Sequence, residues 1–159
     1  MQTFLLHKAF KETAKLLDTP RLQKQRVECF QIYNAIIGLR LDSVTQEIVG
    51  EAKGWTAHPA VRMWKDAPAF LCLYAQYISK ECDAREIADH RMLNAFFSSR
   101  MMRHPFRVPD WASNEKERER IIHSHRCNMI RKDPEFYGPK FPELTMVDSF
   151  TPYFWSAKT

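Results

Sequence analysis

The chain has 159 residues, with 24 Lys and Arg against 19 Asp and Glu, giving a formal charge of +5. With 45% hydrophobic and 27% charged residues it can bury a core and is no disordered chain, and its length suits one domain over 1–159. No apolar run approaches the roughly 20 residues a membrane helix needs, and Met1 to Lys8 has no basic lead into a long apolar stretch, which predicts an intracellular protein.

Leu17-Asp18-Thr19-Pro20 reads as a helix start: Asp18 or Thr19 caps free amides, and Pro20 stands where its missing N–H costs nothing. The helix runs from Arg21 to Ile37, with Leu22, Cys29, Tyr33 and Ile36 as its apolar stripe, and stops at Gly38. His58-Pro59 opens a second segment. Asp66-Ala67-Pro68 then starts a helix that is apolar on most sides from Ala69 to Ile78, the mark of a buried central helix. Residues 92–111 read as irregular, broken by Pro105 and Pro109. Asn114-x-x-Glu117 has capping-box spacing and opens a third long helix from Glu115 to Arg131, which Pro134 stops. The tail from Phe136 to Trp155, rich in proline and aromatics, is expected to drape over the surface. Glycine is scarce and alternating patterns are nearly absent. The expectation is an all-α, single compact domain with three main helices and an irregular C-terminal tail.

Cys29, Cys72, Cys82 and Cys127 lie far apart with no CxxC pair, so they read as reduced thiols rather than disulfides or zinc ligands. No Gly-rich phosphate loop occurs, and no metal or organic cofactor is expected. Residues 100–132 hold nine basic against four acidic residues, a local excess equal to that of the whole chain. Such an excess is what a polyanion-binding surface needs, although a solvated helix face would also carry the alternating charges of 115–120.

At about 100° per residue, Arg21, Gln25 and Glu28 fall within roughly 60° of arc on the first long helix, flanked by Lys24 and Gln31. A carboxylate on a partly covered face between cations can stay ionised, stabilise a developing positive charge or take a proton; the competing account is an exposed Lys24–Glu28 pair. On the third long helix His123 and His125 point about 200° apart and cannot share a metal. His125, Asn128 and Lys132 share a face that suits phosphate, or else make internal hydrogen bonds. Met63 and Trp64 read as core, whereas His58 is the member of that cluster expected at a cavity. Tyr153, Phe154 and Trp155 either stack on bases or pin the tail, and pinning is favoured.

Three blocks, Leu17 to Glu28, His58 to Trp64 and Ser124 to Tyr137 followed by Phe141-Pro142, resemble a group of short phage and bacterial proteins related to the pyrimidine-dimer DNA glycosylase/AP lyase of phages. The resemblance implies a compact all-α fold, recognition of duplex DNA by a basic concave surface, and extrusion of a nucleotide from the stack. It matches the family's catalytic glutamate to Glu28, a basic residue seven earlier to Arg21, and two family histidines to His58 and His125. The arginine that precedes the family's glutamate is Val27 here, and the next DNA-contacting arginine falls near Gln31. The characterised enzyme attacks C1′ with the α-amine of a small residue uncovered by Met removal. Gln2 is bulky, so Met1 is expected to remain and to offer its own amine, or else Glu28 activates water.

The resulting expectation is a DNA glycosylase, with or without AP lyase activity, that removes a damaged or modified base from duplex DNA. Catalysis falls to Glu28, Met1 and Arg21. DNA contact falls to Lys24, Gln25, Arg26, His58, His125, Arg126, Asn128, Arg131 and Lys132. The partner is double-stranded DNA, met by a monomer in the cytoplasm of a bacterium or phage-infected host near the nucleoid. The rivals are an enzyme of the same fold that transfers a group to a base or nucleotide, and a non-catalytic DNA-binding module.

Overall fold

The computed structural model describes residues 2–87, 91–144 and 148–156. Residues 2–6 enter as an extended segment, followed by α1 (Phe10–Leu16) and α2 (Thr19–Ile37). Asp18 caps α2, accepting the Arg21 N–H at 2.8 Å, and Pro20 occupies its first turn. Gly38 ends the helix in the left-handed region at φ 72°, where a side chain would be strained. The sequence fixes these boundaries locally through one cap and one stop.

A two-stranded antiparallel hairpin follows, β1 (Leu39–Leu41) with β2 (Ile48–Glu51). Asp42 shapes its turn by accepting from the Val44 and Thr45 amides, both at 2.8 Å. All four β2 residues are exposed, so the strand shows no apolar–polar alternation. The all-α expectation holds with this small exception: the structure is 61% helical.

Beyond the hairpin come α3 (Pro59–Trp64) and α4 (Pro68–Ala84), each with proline in the first turn. α4 is the central helix, packed against α1, α2 and α5 (Arg91–Met101), and it runs past the stretch expected from the sequence. α5 corrects the reading of 92–111 as irregular. Leu93, Phe96, Phe97 and Arg100 are all buried at spacings of three and four, and the breakers Pro105 and Pro109 act only after the helix has ended. A short α6 (Asp110–Ser113) leads into α7 (Glu115–Lys132), where Asn114 accepts the Glu117 N–H at 3.1 Å. α8 (Pro134–Tyr137) and two short 3₁₀ turns complete the chain before the tail.

One hydrophobic core joins the helices, the opening segment and β1. Its centre is aromatic: Phe10 meets Tyr74 edge-on with centroids 5.2 Å apart, and Trp64 meets Trp111 edge-on at 5.2 Å. Met63 and Trp64 are fully buried, as expected of core residues.

The opening segment is the least expected part. Thr3, Phe4, Leu5 and Leu6 are at most 5% exposed, yet they pair with no strand. Buried backbone must find partners, and here side chains supply them. The Phe4 N–H donates to Gln25 Oε1 at 2.9 Å, the Leu5 N–H to His125 Nδ1 at 2.9 Å, and the Leu6 and His7 amides to Thr13 Oγ1 at 3.2 and 3.0 Å. Arg126 Nε donates to the Leu6 carbonyl at 2.8 Å, and Trp64 Nε1 donates to Thr3 Oγ1 at 2.9 Å. The start of the chain is thus threaded between α2, α4 and α7 and fixed there.

Candidate active site

The geometry of the site follows from that threading. Gln25 Nε2 donates to the Gln2 carbonyl at 3.1 Å, and the Gln2 N–H donates to Glu28 Oε2 at 2.5 Å. Gln25 and Glu28 lie one turn apart on α2, so one helix face holds residue 2 from both sides. Glu28 is 6% exposed, which settles the choice between an outer surface carboxylate and a covered one in favour of the covered one. Lys24 Nζ stands 3.6 Å from Glu28 Oε1, with its own side chain 73% exposed.

Cations from two helices cluster beside this carboxylate around Lys132. Arg21 and Lys24 come from α2, Arg131 and Lys132 from the last turn of α7. Lys132 registers the crowding: burial, then Arg21, Arg131 and Lys24, push its pKa below the ordinary lysine value, and Glu28 opposes them. Arg21 is partly neutralised, since it bonds the Asp18 carboxylate, lies 3.9 Å from Asp133 and stacks over the Tyr137 ring. Four cations against Glu28, Asp18 and Asp133 leave a net positive charge at the mouth of the site, the arrangement a polyanion would stabilise.

Tyr153 closes one side. Its ring packs edge-on against His125 at 5.5 Å and near Phe4 at 6.4 Å. Its pKa is pushed up to about 12 by burial, with Glu28 adding to the rise and Arg131 and Arg21 opposing it. His58 caps α3, accepting the Ala60 N–H at 3.1 Å; burial lowers its pKa, and Glu28 pulls in the other direction. A cleft of about 490 Å³ between α2 and the hairpin, lined by Gln31, Asn34 and Trp55 among others, adjoins His58 through an edge-on Trp55–His58 contact at 5.3 Å.

The structure therefore gathers Glu28, Arg21, Lys24, Arg131, Lys132 and His58. Four other expected DNA contacts are buried. Gln25 is 0% exposed and spends its amide on Gln2 and Phe4, with Tyr74 Oη 2.9 Å away. Arg26 is 0% exposed and faces the Cys82–Asp83 end of α4, about 200° round α2 from Glu28. His125 is 0% exposed, and burial holds its pKa down at about 3, so it is a neutral acceptor for the Leu5 amide. Asn128 is 0% exposed and donates to the Ser124 carbonyl at 2.7 Å and the Thr151 carbonyl at 2.9 Å. Arg126 is also committed internally, to Leu6, to Glu143 at 2.8 Å and to the Phe141 ring. Met1 lies outside the described residues. Gln2, Thr13 and Tyr74, which position the site through the opening segment, carried no sequence signal: residues 2–6 are too short to show a period.

All four cysteines are free and buried, and burial raises the Cys29 thiol well above its usual value and the Cys72 thiol to about 12. Among the described residues no group of three His, Cys, Asp or Glu is placed to hold a metal. No helix among them is long and apolar enough to cross a membrane.

The family model for pyrimidine dimer DNA glycosylases matches residues 1–95, more than half of the chain. The chain belongs to the pyrimidine dimer DNA glycosylase family. That match contains Gln2, Arg21, Lys24, Glu28 and His58, so the resemblance seen in the first two sequence blocks is shown, with a DNA glycosylase as the family's activity. It ends within α5, and this glycosylase-family chain supplies Arg131, Lys132 and Tyr153 from outside the matched residues. Neither a curated protein nor a solved structure matches the chain.

Proposed function

We propose that this protein is a DNA N-glycosylase that releases a damaged pyrimidine from duplex DNA, with the start of its own chain as nucleophile and Glu28 as the carboxylate at the sugar. The observation that carries the reading is the buried Glu28 carboxylate bonded to the main chain of residue 2 at 2.5 Å, beneath a crowd of four cations. The α-amine of residue 1 is covalently one residue along the chain from that N–H, and neighbouring Cα atoms are about 3.8 Å apart.

C1′ is inaccessible inside a stacked duplex, so the nucleotide must be extruded, which costs least at a damaged base. Arg21, Lys24, Arg131 and Lys132 hold the flanking phosphates by charge, which positions the sugar without reading sequence. The neutral amine, whose ordinary pKa is near 8, attacks C1′. The C1′–N bond breaks and its pair stays on the base nitrogen, which takes a proton from solvent; a base held in a dimer remains attached to its neighbour. Loss of the amine proton and opening of the C1′–O4′ bond, with a proton placed on O4′, give a protonated imine at C1′. Glu28 stabilises the positive charge at C1′ through both steps and carries the proton between the amine and O4′. Removal of a C2′ proton from that imine then expels the 3′-phosphate, the AP lyase outcome. The protein acts on double-stranded DNA as a monomer in the cytoplasm.

Borohydride trapping on duplexes with a thymine dimer or an abasic site tests this, with an intact N-terminus verified first. A covalent adduct mapped to residue 1 is expected. Cleavage of the C1′–N bond of the dimer with no adduct, read as a new abasic site whose base stays attached to its neighbour, would favour water activated by Glu28, and a heavier nucleoside product would favour group transfer. Glu28→Gln is expected to lower turnover by at least about a hundredfold while duplex binding is kept. Unchanged turnover in that variant would refute the reading.

A further inference from the structure

The C-terminal tail is fastened to α7 at three heights. The Thr151 carbonyl accepts from Asn128, the Phe154 N–H donates to Ser124 Oγ at 3.0 Å, and the Arg120 guanidinium lies 3.9 Å over the Phe154 ring. Between these anchors Tyr153 is turned inward, against His125, Phe4 and Trp155, with the Trp155 ring nearly parallel at 5.7 Å. These contacts use only the ring. A phenylalanine would make them equally well.

The hydroxyl is what needs explaining. Its oxygen is shielded from solvent and has no hydrogen-bond partner among the described residues, a costly state for a buried polar atom. The Gln2 side chain approaches it without reaching hydrogen-bond geometry, and the charges that act on it are Arg131, Arg21 and Glu28. All three belong to the candidate active site. The phenol is protonated at neutral pH, and burial only raises its pKa further, so it faces that site as an unspent neutral donor.

We propose that Tyr153 is a further catalytic residue, whose buried O–H donates a hydrogen bond to a phosphate oxygen of the attacked nucleotide beside Arg131 and so holds the sugar over Glu28. The assignment rests on the reading of the preceding subsection. A phosphate oxygen suits the position because it accepts from a neutral donor and from guanidinium groups at once, and a bond to a charged acceptor is stronger than a neutral one. The incoming sugar–phosphate displaces the Gln2 side chain, which forms no hydrogen bond to the phenol. Tyr153 lies beyond the residues that the family model matches.

Tyr153→Phe tests the assignment beside wild type and Glu28→Gln. The probes are a duplex carrying a tetrahydrofuran abasic analogue, its undamaged counterpart and a thymine-dimer duplex. The variant is expected to melt at or above the wild-type temperature, because a buried unpartnered hydroxyl is gone. It should bind the tetrahydrofuran duplex about tenfold more weakly, leave undamaged binding unchanged, and turn over the dimer about 10–100-fold more slowly. A melting temperature several degrees lower would make the hydroxyl structural and overturn the assignment. So would an unchanged Kd for the tetrahydrofuran duplex. If Tyr153→Phe is as fast as wild type while Glu28→Gln is inactive, the assignment falls and the glycosylase reading stands. If wild type breaks no C1′–N bond in the dimer duplex, that reading falls, and the tetrahydrofuran comparison alone still decides Tyr153.

Discussion

The neutral, buried His125 makes the stability of this protein depend on pH in a defined direction. In the folded chain burial holds its pKa at about 3, against an ordinary value of 6.5. Between those values the unfolded chain binds a proton at this position and the folded chain does not. Stability is therefore fully present above pH 6.5 and is lost as the pH falls towards 3. The slope is about 1.4 kcal/mol per pH unit, so the loss is roughly 2 kcal/mol by pH 5 and on the order of 5 kcal/mol at the lower limit. For a chain of this size 2 kcal/mol corresponds to about 4–8 °C in melting temperature. His58 and His104, also lowered by burial, act in the same direction, so a control is required. His125→Asn places an amide oxygen where Nδ1 accepts the Leu5 N–H and removes the titration. Urea denaturation of both proteins at pH 7.5 and 5.0 should show the wild-type advantage shrinking by about 2 kcal/mol. A gap that stays constant across that range would refute the argument. Protonation of Nδ1 would also turn the acceptor of the Leu5 N–H into a donor, so acid should loosen the segment that brings residue 2 to Glu28.

Gln25→Leu removes the acceptor of the Phe4 N–H and the donor to the Gln2 carbonyl, and leaves buried backbone unpaired; a loss of about 3 kcal/mol is expected from urea denaturation, and a loss under about 1 kcal/mol would contradict the tethering role. Binding to undamaged duplex should weaken with salt at a log–log slope near −3.6 if Arg21, Lys24, Arg131 and Lys132 each neutralise one phosphate, and Lys24→Ala should make that slope shallower by about 0.9. An unchanged slope in that variant would place Lys24 off the DNA.

What the sequence discloses and what it hides follow from the range of the forces involved. The limits of α2 were legible because Asp18, Pro20 and Gly38 act on their own neighbours, and Glu28 was legible as a carboxylate on a helical polar face. The hairpin was not, since a fully exposed β2 leaves no alternation to read. The hardest distinction was the polar stripe itself. Gln25, Glu28, His125 and Asn128 look alike in sequence whether they face water, phosphate or buried backbone. The structure sorts most of them by what the opening segment requires: residues 2–6, too short to form a helix or a strand, must still have their amides satisfied, and side chains from α1, α2 and α7 reach them, while Asn128 is spent on the tail. Residues expected to touch DNA directly are thereby spent on holding the chain's start. That expense makes physical sense where position matters at residue 2, because a frayed segment would bring its main chain to Glu28 only a small fraction of the time, whereas one fixed at Phe4, Leu5 and Leu6 holds the Gln2 N–H there.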